Sequence, residues 1–396
     1  MSPPSRRRSR ARGLAEPTSF GHGWISGVLS VTCGAMGLAA VICFHFPSLL
    51  TMPELRDVYP MAAVRALLHL VLLAGFLSGA LSVVLRHSKK LGLTGVALTL
   101  AAVLLGGSGV PVDGPVTRGA PFLGLDWFLW NLLGYSLVFI PIERVFARVP
   151  QAIFRQSWRT DLAYFMVSSL LVQLTTLLTM QPATVFFVWA AIPGVRAWIG
   201  GLPFVVQFVG ILIVSDLTQY WVHRAFHRVP WLWRFHAIHH SIESMDWLAG
   251  SRLHLVDVAV TRALTYVPIY LLGFSHAPLV VYIAFVSVQA TFIHANVRWT
   301  FRPLRLILAT PQFHHWHHAV EREAIDKNFA VHLPIIDRVF GTYYHPPDRW
   351  PSAYGLAGGV EIRGGYFRQF VQPFRSVAGE TTPPAPAADK TSRTGL

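Results

Sequence analysis

The chain has 396 residues, of which 53% are hydrophobic and 13% are charged, and its mean hydropathy is +0.45. A soluble domain of this size would be more polar, so this composition excludes an ordinary soluble protein and predicts a membrane protein. The net charge of +14 comes from basic residues interleaved with apolar segments, which favours contact with a membrane surface over binding of nucleic acid.

Six apolar segments follow an arginine-rich arm at residues 1–20, and each is long enough to cross about 30 Å of hydrocarbon as a helix. They lie at about 24–45, 61–85, 91–111, 122–142, 160–180 and 203–222. No obvious small-residue cleavage site follows the arm, so we predict a retained cytoplasmic anchor. A further apolar stretch, 258–293, is interrupted by Pro268, Gly273 and Pro278, and predicts either a hairpin of two spans or a re-entrant pair. In both alternatives the chain returns to the side of the membrane from which it entered.

Basic residues predict the orientation of these spans. The arginine-rich arm precedes the first span. Arg86, Lys89 and Lys90 follow the second span, and the fourth span is followed by Arg144, Arg148, Arg155 and Arg159. Loops rich in Lys and Arg are normally cytoplasmic. Alternation through six spans then places the segment after residue 222 in the cytoplasm. The predicted fold class is all-α, a multi-pass transmembrane helical bundle with a cytoplasmic histidine-rich helical cap.

Twelve of the eighteen histidines lie between positions 223 and 318, and most of them form three boxes. The boxes are His223-Arg-Ala-Phe-His227, His236-Ala-Ile-His239-His240 and His314-His315-Trp-His317-His318. Histidines three or four residues apart share one helix face and can bind the same ion. Adjacent histidines diverge by about 100° around a helix, so they can serve two different ions. The number and the spacing of these histidines therefore predict a centre with two metal ions.

We predict ten metal ligands and two supporting residues. The ligands are His223, His227, His236, His239, His240, His314, His317 and His318 from the boxes, with His294 as a ninth and His254 as a tenth. His254 is equally well interpreted as a hydrogen-bonded loop histidine, and His315 as a surface residue or a support for a ligand. Asp216 lies two helical turns before His223, so we expect it to orient that ring or a neighbouring ligand, the alternative being a packing contact with a neighbouring span. Asn296 is the second supporting candidate.

The ligand type limits the identity of the metal. Imidazole-rich sites suit iron, zinc, copper or nickel and not magnesium or calcium. A structural zinc ion needs four ligands, whereas eight to ten histidines suggest two ions with open positions. Because Cys33 and Cys43 both lie inside the first span, a cysteine metal site is not supported. Oxygen chemistry beside a bilayer favours two iron ions with O2 as co-substrate, although the ligand set does not exclude zinc.

Residues 203–345 resemble the fatty acid hydroxylase/sterol desaturase superfamily of membrane di-iron enzymes. Besides the boxes, the resemblance rests on Asp216…Tyr220-Trp-Val-His223, Arg252-Leu-His254, His294-Ala-Asn296, Thr310-Pro-Gln-Phe-His314, Asp326-Lys-Asn328-Phe329 and Asp337-Arg-Val-Phe340-Gly-Thr-Tyr343. It implies that the box histidines bind two irons, that a histidine such as His294 completes the shell, and that electrons arrive from a separate donor. The four-residue spacing in the first box is similar to the hydroxylase and sterol-desaturase branch.

The resemblance also divides the chain. We expect a basic arm at 1–20, an accessory transmembrane region at 21–150 that this family does not explain, a catalytic domain at 151–350, and a largely disordered tail at 351–396. The expected localisation is a multi-pass integral membrane protein, in the bacterial inner membrane or the endoplasmic reticulum according to its source.

The expected function is oxygen-dependent hydroxylation or desaturation of a sterol-like or fatty-acyl lipid. The chain has no haem-attachment motif, cysteine cluster or GxGxxG fingerprint, so the expected partner is a separate electron donor, cytochrome b5-like or a ferredoxin/reductase pair. An ether-lipid or carotenoid monooxygenase would use the same site. A histidine-rich metal transporter or sensor is the alternative from another class, and it is disfavoured because Asp216 is the only strong polar candidate within the spans that lead to the boxes.

Overall fold

The computed structural model describes residues 22–56, 59–112, 121–357, 362 and 364–375. The predictions for the arm at 1–20 and for the tail after residue 375 lie outside these residues. Contacts divide the chain into two compact units, residues 1–129 and 130–396. The described residues contain helices and turns, two isolated β-bridges and no strand, which confirms the all-α prediction.

The first unit consists mainly of three long apolar helices. Its helices are α1 (Trp24–His45), α2 (Pro47–Leu50), α3 (Pro53–Arg56), α4 (Met61–Leu85), α5 (Lys90–Leu104) and the first turn of α6 (Leu125–Val145). Helices α1, α4 and α5 all pack against one another. Glycines allow this close approach, since a Cβ added to Gly34 would lie 2.8 Å from the carbonyl oxygen of Gly95. Small residues at helix contacts are the usual means of packing helices in membranes.

The second unit contains the remainder of α6 and ten further helices. They are α7 (Trp158–Leu170), α8 (Val172–Phe186), α9 (Pro193–Gly200), α10 (Phe204–Arg228), α11 (Pro230–His240), α12 (Leu255–Leu272), α13 (His276–Phe292), α14 (Pro311–His317), α15 (Pro334–Val339) and α16 (Tyr366–Arg375). Three-residue 3₁₀ turns lie at Gly107–Gly109 in the first unit and at Val188–Ala190, Ala249–Ser251, Arg302–Leu304 and Arg322–Ala324 in the second.

Six helices among the described residues are long and apolar enough to cross a membrane, as the multi-pass prediction requires. They are Trp24–His45, Met61–Leu85, Lys90–Gly109, Leu125–Val145, Phe204–Arg228 and Leu255–Leu272. Five of them coincide with predicted spans, and the sixth is the first half of the predicted hairpin.

The predicted span at 160–180 is not one continuous helix. The chain forms α7 and α8, which meet at Leu171, where ψ is 22°. The pair nevertheless runs from the histidine end of the unit to its opposite end. Ser251 beside the boxes donates a hydrogen bond to the Asp161 carbonyl in α7, whereas α8 ends shortly before α9. The interpretation as a single uninterrupted span is therefore wrong, although the chain still crosses the unit here.

The predicted stretch at 258–293 is a helical hairpin, α12 and α13, joined at Gly273 in a left-handed conformation with φ 73°. Pro268 lies inside α12 without ending it. The turn lies at the far end of the unit, where Ser275 N–H donates to the Gln207 side chain at the start of α10. The first residue of α12 and the last of α13 consequently lie at the same end, beside the histidine boxes.

The C-terminal segment differs from its prediction as a disordered tail within residues 364–375. Helix α16 packs on α7 and α11, and its Gln369 and Pro373 side chains are buried. Tyr366 contacts Tyr164 of α7, with ring centroids 4.7 Å apart. Tertiary contacts thus order residues 364–375, which the prediction included in a largely disordered tail at 351–396.

Candidate metal centre

Nine of the ten predicted ligands come together in two groups at one end of the second unit. Within each group, one nitrogen of every ring lies within 4.8 Å of the others. Group one is His223, His227, His236, His240 and His317, and group two is His239, His294, His314 and His318. Eight of the nine side chains are buried, and His223 is partly buried. Their role as ligands stays a prediction.

Helix geometry explains how the boxes divide between the groups. His236 and His240 are one turn apart on α11 and both belong to group one, while His239, between them on another face, belongs to group two. Likewise His317 joins group one and its neighbour His318 joins group two. Helix α14 begins because the Thr310 hydroxyl caps it and Pro311 occupies its first position. Adjacent histidines therefore face different groups, as their spacing predicted.

Hydrogen bonds to pure acceptors fix the tautomer of five rings. In each of these rings, Nδ1 donates to an oxygen atom at 2.6 to 3.1 Å. The pairs are His223 with Phe329, His236 with Asp257, His239 with Arg252, His294 with Ala290, and His317 with Lys327. Since Nδ1 carries the proton in a neutral ring of this kind, Nε2 presents a lone pair. Burial lowers the pKa of His294 to about 4 and that of His239 well below its usual value. These two rings are therefore neutral near pH 7.

The lone pairs face one another, which is the arrangement that a cation requires. The Nε2 atoms of His223 and His236 are 3.0 Å apart, and those of His239 and His294 are 3.4 Å apart. Neither pair has a proton to share when both rings are neutral. The Nε2 atoms of His227, His240 and His317 are also buried with no hydrogen-bond partner among the described residues. Both groups therefore fit a metal ion bound by neutral imidazoles.

Comparison with known proteins agrees with this geometry. The family model of the fatty acid hydroxylases matches residues 208–342. Residues 208–342 of this chain are therefore similar to the fatty acid hydroxylases. This result confirms the resemblance seen at residues 203–345.

Three relatives illustrate the match. An ornithine lipid hydroxylase of Rhizobium tropici is 34% identical over 180 residues, which cover 45% of this chain and 53% of the relative. A human alkylglycerol monooxygenase is 35% identical over 149 residues, covering 38% of this chain and 32% of the relative. A fatty acid hydroxylase of a Lecanicillium species is 33% identical over 152 residues, covering 33% and 40%. The chain thus spans about half or less of these relatives' lengths, and no solved structure gives a significant match.

His254 does not belong to either group of histidines. It is the N-cap of α12, where its Nδ1 accepts a hydrogen bond from the Val256 N–H at 3.1 Å. Its Nε2 donates to the carbonyl of Phe370 at 3.0 Å. Both nitrogens are occupied, so the interpretation as a hydrogen-bonded histidine replaces that as a ligand.

Asp216 and Asn296 do not contact the ligand rings either. The Asp216 carboxylate accepts hydrogen bonds from three consecutive backbone N–H groups, those of Val331, His332 and Leu333. The Asn296 side chain bonds both backbone groups of Val149. The prediction that Asp216 accepts a proton from His223 or a neighbouring ligand is wrong, because backbone donors fill its carboxylate. Each residue fixes a chain segment beside the histidines.

The segment that Asp216 fixes, residues 326–333, is here named the orienting loop. The Lys327 carbonyl accepts from His317 at 2.8 Å, and the Phe329 carbonyl accepts from His223 at 2.8 Å. Both histidines belong to group one. The loop thus sets the ring orientation and the tautomer of two of the five rings in that group.

Two carboxylates and one amide hold the orienting loop in place. Asp216 binds its end, and Asp337 accepts from the N–H groups of Phe329 and Ala330 at 2.8 Å. Asn328, with a positive φ of 60°, donates from its amide to the Phe313 and Tyr344 carbonyls. These bonds fix a backbone conformation that asparagine adopts more readily than most residues.

A buried ion network supports group two. Arg155 contacts Asp161 at 2.7 Å and Asp246 at 2.6 Å, and Arg252 contacts Asp161 at 2.5 Å. The Arg252 carbonyl accepts from His239, so this network fixes the backbone that orients a group-two ring. His315, predicted as a surface residue or a support, is buried, with its Nε2 3.3 Å from the carbonyl of His294. The structure places it in the supporting position.

Two acidic residues beside group one received no site role in the prediction from the sequence. Asp257 Oδ2 lies 2.6 Å from His236 Nδ1, and Asp326 Oδ1 lies 3.4 Å from His227 Nδ1. Asp257 follows His254 by three residues in the first turn of α12, so the quoted Arg252-Leu-His254 motif pointed to the right segment. A carboxylate that accepts from a metal-binding histidine raises the basicity of the ring.

We expect Asp257→Asn to lower the metal affinity of the protein about tenfold, the lower end of the range for such supporting contacts. The amide is uncharged and can present an N–H to the ring in place of an acceptor. The measurement is a metal titration of purified protein. Thr261→Val is the matched control, because it removes only the 3.2 Å hydrogen bond from Thr261 to the same carboxylate. Wild-type affinity in Asp257→Asn would show that the contact with His236 does not matter.

Proposed function

We propose that this protein is a membrane-bound di-iron monooxygenase that hydroxylates the hydrocarbon part of a polar membrane lipid. The observation that carries the proposal is the pair of histidine groups whose lone pairs converge at the end of apolar helices. The relatives support the reaction class, since they are named as hydroxylases and monooxygenases. Residues 151–350 form the catalytic domain in this proposal.

Each histidine group would hold one ion. Group one offers five imidazole nitrogens and group two offers four, without a carboxylate in either. When bound, two redox-active iron ions would supply the activation of O2 that breaks an unactivated C–H bond. The protein's own part is to bury the rings, to fix the tautomers of five of them through Nδ1, and to exclude water from the centre.

The reaction needs electrons from outside this chain. Hydroxylation of R–H by O2 gives R–OH and H2O and consumes two electrons and two protons. The only two cysteines, Cys33 and Cys43, are free and lie in α1, and the sequence has no dinucleotide fingerprint. We propose that a separate reductant, cytochrome b5-like or a ferredoxin with its reductase, delivers the electrons.

An ether lipid is the second candidate substrate. Alkylglycerol monooxygenases from four animals match 149 to 170 residues of this chain. Such an enzyme would use the same centre on an ether lipid. The two candidates differ in the lipid that is consumed.

The experiment is turnover of purified protein under ¹⁸O₂ with a reductant, offered ornithine lipid, alkylglycerol, sterol or free fatty acid in separate reactions. The proposal predicts one ¹⁸O atom in a single lipid class, and no product without the reductant. Turnover with NAD(P)H alone would contradict the separate donor. Desaturated product without ¹⁸O would contradict hydroxylation.

We also propose that the histidine end faces the cytoplasm. Residues 144–159, which carry four arginines, lie at this end, because Arg148 donates to the Tyr354 hydroxyl and Arg155 binds Asp246. Glu323 is exposed at the histidine end and Gly194 at the opposite end. In cysteine-free protein expressed in a bacterial inner membrane, an impermeant maleimide applied from outside is expected to label Gly194→Cys and not Glu323→Cys. The reverse pattern would overturn the orientation.

A further inference from the structure

The helices α11 and α16 expose an aromatic face that the proposed function does not use. It consists of Trp231, Phe367 and Phe374, whose side chains are 56%, 83% and 63% exposed. Phe367 and Phe374 are seven residues apart, so they share one side of α16. The ring of Phe235 connects the face, since its centroid lies 5.1 Å from that of Trp231 and 5.3 Å from that of Phe374.

The side of α16 that faces α7 and α11 is used for packing. Gln369 and Pro373 are buried, and the Phe370 ring stacks on His254 with centroids 4.8 Å apart. A helix that met only water on its outer side would carry polar residues there. The outer side of α16 instead combines the two phenylalanines with Arg368 and Arg375, which are exposed. This combination is typical of helices that lie in a membrane interface.

The aromatic face lies at the level where membrane spans begin and end. The Phe370 carbonyl accepts from His254, the N-cap of α12, and α12 is apolar enough to span from its next residue. Trp231 lies three residues after the last residue of α10, another candidate span. The headgroup region of the bilayer is therefore expected at the height of both helices.

We propose that the aromatic face inserts into the interface of the same bilayer that the spans cross, with Trp231, Phe367 and Phe374 among the upper acyl chains. Arg368 and Arg375 would contact the phosphates of anionic lipids. The occupant is a lipid surface because apolar rings and cations meet at a span boundary, where aromatic and basic side chains are favoured. The inference is independent of the metal ions and of the substrate.

The test places a fluorescent probe on the face in the full chain. A cysteine-free background carries Phe367→Cys or Phe374→Cys, labelled with an environment-sensitive dye, in nanodiscs of phosphatidylcholine with or without phosphatidylglycerol. Lipids brominated near the top of the acyl chain are expected to quench both labels by at least half. A label at Glu323→Cys, exposed elsewhere at the same end, is expected to remain unquenched. Arg368→Gln with Arg375→Gln is expected to abolish any additional quenching due to phosphatidylglycerol.

Each other outcome would contradict the proposal. Labels at 367 and 374 that bromolipids do not quench would show that the face is outside the bilayer. A dye signal typical of an apolar environment that is the same in detergent, and that is lost when residues 376–396 are deleted, would show that residues 376–396 cover the aromatic face. An apolar dye signal that depends on protein concentration would show that a second copy of the chain covers the aromatic face. Equal quenching with and without phosphatidylglycerol would refute the contact with anionic lipids.

Discussion

His317→Ala and His314→Ala are each expected to remove at least one of two metal ions per chain and to reduce lipid turnover below detection. His317 faces group one and His314 faces group two. His317 Nε2 is buried without a hydrogen-bond partner among the described residues, so no other role explains its polar atom. Removal of a converging imidazole leaves each ion with fewer ligands, and the proposed chemistry needs both ions. Elemental analysis of the purified variants gives the ion count.

His254→Asn is the matched control for both variants. His254 is a buried histidine in the same domain, yet it lies outside both groups and caps α12. Asparagine is a good N-cap, so it can accept the Val256 N–H in place of the ring. We expect this variant to keep two ions per chain. Full metal content in His317→Ala, or loss of metal in His254→Asn alone, would overturn the division into ligands and non-ligands.

Asp216→Asn is expected to lower metal affinity or turnover about 10–100-fold, the range for loss of a supporting contact. The carboxylate accepts three backbone N–H bonds of the orienting loop, and bonds to a charged acceptor contribute about 1.5–3 kcal/mol each. An amide offers one oxygen, and its NH2 group faces the remaining donors. The loop would loosen, and the Lys327 and Phe329 carbonyls would no longer hold His317 and His223.

A metal titration and a thermal unfolding curve measure this effect. Asp216→Glu, which keeps the charge on a longer side chain, is expected to recover part of the affinity. The loop contacts only group-one rings through these carbonyls, so the binding step of group one is expected to change most. An Asp216→Asn protein with wild-type affinity and stability would show that Asp216 is merely a packing residue.

The spans were predictable because twenty apolar residues leave a chain few alternatives in a bilayer. Other features of the fold depend on tertiary contacts. The break at Leu171 has no proline or glycine at that position to announce it. Helix α16 was missed because a ten-residue segment gains little stability alone, and its order comes from contacts with Tyr164 and His254.

In the candidate site, too, the features set by local spacing were predictable and those set by tertiary contacts were not. Spacing on helices predicted that the eight box histidines serve two ions, because residues four apart share a face and adjacent residues diverge, whereas His294 was predicted from its place at the end of the hairpin. The acceptors of five rings were not predictable, since four of them are backbone carbonyls, which every residue carries. For Asp216 the two-turn spacing from His223 suggested a direct contact. Its carboxylate meets the orienting loop instead, 115 positions along the chain, and no local pattern reveals that partner.

The two histidine groups are proposed to hold a pair of iron ions. Mössbauer spectroscopy of the wild-type protein, purified after growth on ⁵⁷Fe and calibrated by iron per chain, tests it most directly. The account predicts about two irons per chain and, in the oxidised protein, a diamagnetic signal from an antiferromagnetically coupled ferric pair. A single uncoupled iron per chain, or a protein that is fully active with zinc alone, would contradict it.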